Sequence, residues 1–188
     1  MIDWLTVVAT GEGLVVFLLL GIVAETIGVI VGNREFTLGR FGEGEGNVDV
    51  EVEKYASKAL TFASITFAGV TFLLAQFQEQ LAQIRGPMLL FVFGFALFLL
   101  SYKLEVFGGT HRLAWSLQQR LFNYGILALV SGLLLFFSGT FSDFLLPVGG
   151  MAVIIVGLHV VEYLDDLCHY ISGENPITDD ARLCRFFK

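Results

Sequence analysis

Glu25 is the residue in this 188-residue chain whose position most needs a chemical reason. It is the thirteenth residue of the apolar stretch 13–32, where a carboxylate costs on the order of 3 kcal/mol to insert into a bilayer. Gly21, Gly28 and Gly32 stand at offsets of -4, +3 and +7 from it, so the four share one helical face. A face of glycines lets a second helix come close, which aims Glu25 at protein and away from lipid. The chemistry open to it is that of an ion- or proton-handling carboxylate. The alternative is a protonated or paired glutamate that fixes helix register.

A second pattern offers neighbours for it. Ser57, Thr61, Ser64, Ala68, Thr71 and Ala75 repeat at spacings of 4, 3, 4, 3 and 4, a stripe of small and hydroxylated side chains. Thr61 and Ser64 are expected beside Glu25 on a hydrated path, with Ala68 and Ala75 in helix packing. The plainer reading is small-residue packing, the hydroxyls bonding back to carbonyls four residues earlier. Further on, His159, Glu162, Asp166 and His169 fall at offsets of 0, 3, 7 and 10, again on one face. His159 and Glu162 suit the mouth of an ion path, and the set suits a proton relay or a solvated helix end. His159, Glu162 and Asp166 are weak metal candidates, because one helix cannot complete a coordination shell. No metal and no cofactor are expected, for the chain lacks a phosphate-binding lysine loop, a dinucleotide glycine fingerprint, G-x-S-x-G and H-E-x-x-H.

The elements that must position these residues are membrane spans. The chain is 55% hydrophobic and 15% charged, with a mean hydropathy of +0.75, and its apolar residues arrive in blocks near the 20 residues a bilayer requires. A net charge of -7 without a basic face argues against nucleic-acid binding. The acidity reflects either one acidic loop or the acidic surface of a salt-adapted protein. Cys168 and Cys184 are too few for a disulfide framework or a zinc cluster.

Five spans are predicted, at 13–32, 55–77, 87–107, 121–137 and 145–164. Pro87 opens the third, where its missing N–H costs nothing. Thr110 is expected to cap a helix that carries Leu113, Leu117 and Leu121 into the fourth, with Trp115 at interface depth. The linker 42–53 holds Glu43, Glu45, Asp49, Glu51 and Glu53 among Val48, Val50 and Val52. Its period of two fits a strand, and Asp49 fits equally the cap of a helix running into span two. Residues 173–188 form a tail whose Leu183, Phe186 and Phe187 suit a surface helix. Five spans put ten of the eleven basic residues on one side and only Arg85 on the other. Cytoplasmic loops retain Lys and Arg, so the N-terminus is expected outside and the C-terminus in the cytoplasm.

That orientation places Glu25, Lys58, Thr61, Ser101, Lys103, Asn123 and His159 at one depth, roughly 5–11 Å from the cytoplasmic boundary. Such a layer implies a vestibule, closed outward by a constriction of Phe72, Phe91, Phe93 and Phe95 that gates by dewetting. Lys58 and Lys103 either pair with Glu25 or Glu162, or snorkel to the interface. The sequence thus predicts an all-α polytopic membrane protein of the cell membrane, a five-helix bundle that forms homo-oligomers. Its expected role is non-enzymatic, that of a small ion channel or proton-coupled transporter. The alternative is an anchor or accessory subunit that docks a cytoplasmic protein through its acidic loop and C-terminal helix.

Overall fold

The computed structural model describes residues 11–32, 38–41 and 48–140, with scattered positions between 149 and 161. Of the described residues 93% are helical. In chain order the helices are α1 (Gly11–Gly32), α2 (Val48–Gln76), α3 (Leu81–Lys103), the single turn α4 (Glu105–Gly108) and α5 (Arg112–Thr140). A 3₁₀ turn, Gln78–Gln80, joins α2 to α3. Four of them, α1, α2, α3 and α5, are long and apolar enough to cross a membrane. The predicted fifth span and the tail 173–188 lie outside the described residues, apart from exposed helical positions such as Val153, Ile154, Val160 and Val161.

Several boundaries differ from the sequence reading. The helical alternative for the acidic linker holds from Val48 onward, since α2 starts there with Asp49 and Glu51 in its first turn, where carboxylates favour the helix dipole. Val48 and Val52 are buried while Val50 is 58% exposed, a helical pattern and not that of a strand. α3 starts at Leu81, so Pro87 lies inside it and not at its first position. Thr110 does not cap α5: its hydroxyl donates to the Phe107 carbonyl at 3.1 Å and meets His111 Nδ1 at 2.7 Å. α5 does run unbroken from Arg112 through the predicted fourth span. Trp115 is buried against Val48 and Val52, with Phe41 edge-on to its ring.

α3 and α5 form the central pair, and glycines set their separation. A Cβ on Gly125 would stand 2.6 Å from Phe98 Cε1, and one on Gly132 would stand 2.8 Å from Phe91 Cε1. Gly94 faces the Gly125 carbonyl in the same seam. α2 packs on α3 along Ala56, Ala59, Ala63, Thr66 and Leu73, all buried. Near its start, Gln118 Nε2 donates to the Val52 carbonyl at 3.2 Å, and Ser101 Oγ donates to the Gln118 carbonyl at 2.9 Å.

α1 lies against α3 and α5 and makes no contact with α2 among the described residues. Only 11% of its most apolar stretch is buried, against 44% for α3. Leu18 and Ile22 join the core formed with Leu90, Leu97, Leu121, Tyr124 and Ala128. At its first turn Gly11 rests on the backbone of Gly86, closer than any Cβ would permit. Large apolar side chains such as Phe17, Leu20, Val31, Ile65 and Phe72 stay exposed, far more than water tolerates on a monomer.

Candidate functional site

Glu25 faces protein as its glycine register predicts, and its partners come from α5. Tyr124 Oη donates to Glu25 Oε1 at 2.8 Å. Arg120 Nε lies 3.4 Å from Glu25 Oε2, with the two side chains 12% and 24% exposed. Arg120 Nη1 donates in turn to Ser116 Oγ at 2.7 Å. Ser116, Arg120 and Tyr124 are spaced by four, so they stack on one face of α5, Arg120 and Tyr124 meeting the carboxylate and Ser116 accepting from Arg120.

Gly21 makes this approach available. It lies one turn before Glu25, and a Cβ there would stand 2.6 Å from Tyr124 Oη and 2.9 Å from its Cε1. The Tyr124 ring therefore fills the volume of an absent side chain and delivers its hydroxyl to Glu25. Gly28 has nothing within 4 Å of its notional Cβ, so the glycine face is used at Gly21 and not at Gly28. Gly32 is the last residue of α1.

The other predicted members do not gather here. Thr61 and Ser64 lie on an exposed face of α2, a helix that α1 does not touch among the described residues. Their hydroxyls donate to the carbonyls of Ser57 and Leu60, each at 2.9 Å. The expectation that they neighbour Glu25 is corrected: a hydroxyl four residues from a carbonyl on its own helix is already satisfied. Ala68 and Ala75 are exposed as well, because the packing face of α2 is the one carrying Ala56, Ala59 and Ala63.

The four phenylalanines do not converge on a constriction. Phe72 is 59% exposed, and Phe91 is buried against Gly132. Phe93 packs on the cluster of Leu18 and Tyr124, while Phe95 lies 5.8 Å from Phe67. Alternate positions on α3 point to different neighbours, so the helix disperses them. Lys58 and Lys103 are exposed, their ammonium groups near the rings of Tyr55 and Tyr102 at 5.3 and 5.8 Å. Arg120, and neither lysine, pairs with Glu25. Ser101 is buried and bonded to α5, and Asn123 is half-buried.

His159, Glu162 and Asp166 lie outside the described residues. Among the described residues no group of three or more His, Cys, Asp or Glu is placed to hold a metal ion. What the site contains is one carboxylate with a cation and a phenol set against it between two apolar helices. That arrangement can neutralise, release and recapture a charge. No family model, no curated protein and no solved structure matches the chain.

Proposed function

We propose that this protein is a non-enzymatic, proton-coupled membrane transporter in which Glu25 carries the proton and Arg120 and Tyr124 are its counter-groups. The observation that carries the reading is the pairing of Glu25 with Arg120 and Tyr124 between two helices long enough to cross a bilayer. Paired ionisable groups in such helices mark ion paths and proton relays. The pairing favours a proton over a permeant metal cation. Hard cations need several oxygen ligands, and both Glu25 oxygens are already engaged. A proton needs only one of them. Protonation removes the attraction for Arg120, which keeps its bond to Ser116, and α1 is the least buried of the four long helices among the described residues.

The spans take the orientation argued from the basic residues. Arg40, Lys54, Lys58, Lys103, Arg112 and Arg120 lie toward the end where α1 and α3 finish and α2 and α5 begin, and Arg85 lies toward the other. Under the positive-inside rule the first end is cytoplasmic, with the N-terminus outside and 145–164 as a fifth span.

The test is proton flux in proteoliposomes, read with a pH dye beside a potassium-selective readout, for wild type and Glu25→Gln. Flux lost in a folded variant supports the proposal, and equal flux removes Glu25 from any transport role. A second reading, an accessory subunit, is favoured by the exposed acidic start of α2, where Asp49 and Glu53 face outward. It expects Glu25→Gln to be silent and a partner to be lost when Asp49 and Glu53 are made neutral.

A further inference from the structure

Where α5 begins, the chain segment 38–41 lies back against it. Arg40 pairs with His111 in an isolated antiparallel bridge. Phe41 N donates to the Thr110 carbonyl at 3.3 Å, and Arg112 N donates to the Gly39 carbonyl at 3.4 Å. Beneath this bridge is a groove of about 470 Å³, walled by Leu38, Leu104, Phe107, Leu113 and Leu117, with His111 as its one ionisable lining residue. A volume of that order is typical of a small-molecule site, and this one is almost wholly hydrocarbon.

One cation, Arg40, sits at its edge. Residues directly opposite in an antiparallel pair project their side chains to the same side, about 5 Å apart, so Arg40 stands beside His111 at the rim. The Thr110 hydroxyl proton goes to the Phe107 carbonyl, so His111 Nδ1–H donates to Thr110 Oγ and the imidazole closes the groove wall. Arg40 is exposed and has no ion pair among the described residues. Asp49, a carboxylate of α2, rests against Gly109. The groove also straddles the level at which α5 turns apolar, its membrane-competent stretch running from Arg112 to Ser138. In a bilayer spanned by that stretch, the hydrocarbon walls would lie at acyl depth and Arg40 at headgroup depth.

We infer that this groove is a binding site for an anionic phospholipid, the acyl chain lying along Leu104, Phe107, Leu113 and Leu117 and the phosphate meeting Arg40. Basic pockets beside apolar helix faces hold lipid headgroups in this way. The inference does not depend on the transport reading.

The experiment uses the full chain, purified in detergent and examined by native mass spectrometry with dioleoyl phosphatidylglycerol or dioleoyl phosphatidylcholine. Wild type is expected to retain the anionic lipid roughly fivefold or more over the zwitterionic one, the effect of about one cation near a headgroup. Arg40→Gln brings that ratio toward one, while Arg40→Lys restores it. Ala114→Phe, which fills the groove, lowers retention of both lipids. Circular dichroism checks that each variant is folded, and the exposed Arg40 site serves if Ala114→Phe is not. Equal retention of the two lipids by wild type overturns the proposal, as does an unchanged ratio in Arg40→Gln. Displacement of the lipid by millimolar inorganic phosphate also overturns it, because the site would then be one for a free anion.

Discussion

Tyr124 occupies the space that Gly21 leaves empty, and from there its hydroxyl reaches Glu25 at 2.8 Å. A methyl at position 21 has to displace the ring. Gly21→Ala should therefore destabilise the protein by about 1–3 kcal/mol through overpacking, offset in part by up to ~1 kcal/mol of helix propensity. Gly28→Ala, with nothing within 4 Å of the new methyl, should be neutral or slightly stabilising. Denaturant unfolding of the two variants side by side checks this, and equal effects would mean that Tyr124 does not pack on Gly21.

The Glu25–Arg120 pair makes a prediction about removing one partner or both. Arg120→Met leaves a mostly buried carboxylate with only Tyr124 beside it, and should cost roughly 3 kcal/mol. Glu25→Gln keeps an acceptor for Tyr124 and should cost less. The double variant should be more stable than the sum of the two losses, because each change removes the other's reason to be harmful. Unfolding free energies for the four proteins of this cycle supply the test, and strict additivity would show that the two groups do not interact.

Gln118 is fully buried, and its Oε1 has no hydrogen-bond partner among the described residues. Both carbonyls in its small network, those of Val52 and Gln118, also lie inside helices. Replacing the amide with a hydrocarbon of similar size therefore strands no group. Gln118→Leu should change stability by less than ~1 kcal/mol. Gln118→Ala opens a cavity and should cost about 2 kcal/mol. A large loss in Gln118→Leu would instead make the amide a structural requirement of the α2–α5 contact.

The exposed hydroxyls of α2 carry the opposite expectation. Thr61→Val and Ser64→Ala each remove a bond to the helix's own backbone, and neither should alter stability or proton flux beyond error. Ala59→Leu and Ala63→Leu, on the buried face, should cost about 1–3 kcal/mol each. A flux defect in Thr61→Val would return α2 to the ion path.

These contrasts mark what was legible in the amino-acid order. The long apolar runs foretold α1, α2, α3 and α5, and the glycine four residues before Glu25 foretold a close approach to that acid. The choice of face on α2 was not legible, because the helix carries two small-residue stripes with the same periodicity. One is 57, 61, 64, 68, 71 and 75, and the other is 56, 59, 63 and 66, in register with Val52. The second is the more apolar, but lipid accepts apolar side chains as readily as protein does, so hydropathy does not say which face packs; the buried alanines at 56, 59 and 63 show which one does. Arg120 was missed because it stands at the edge of an apolar run and reads as a topology marker. Its signal was present in the four-residue spacing of Ser116, Arg120 and Tyr124, which makes a polar ladder in a helix otherwise rich in leucine. The phenylalanines misled because alternate positions on a helix face different ways.

The separation of α1 from α2 also has a consequence for biogenesis. Glu25 and Tyr124 are 99 residues apart in the chain, and the helix synthesised next after α1 offers the acid nothing. At ordinary translation rates α5 emerges roughly 5–20 s after α1. Through that interval the acid-bearing helix waits at the membrane without its counter-charge. Delivery of α5 supplies the counter-charge and ends the wait, so α1 is secured only after two long helices that follow it in the chain.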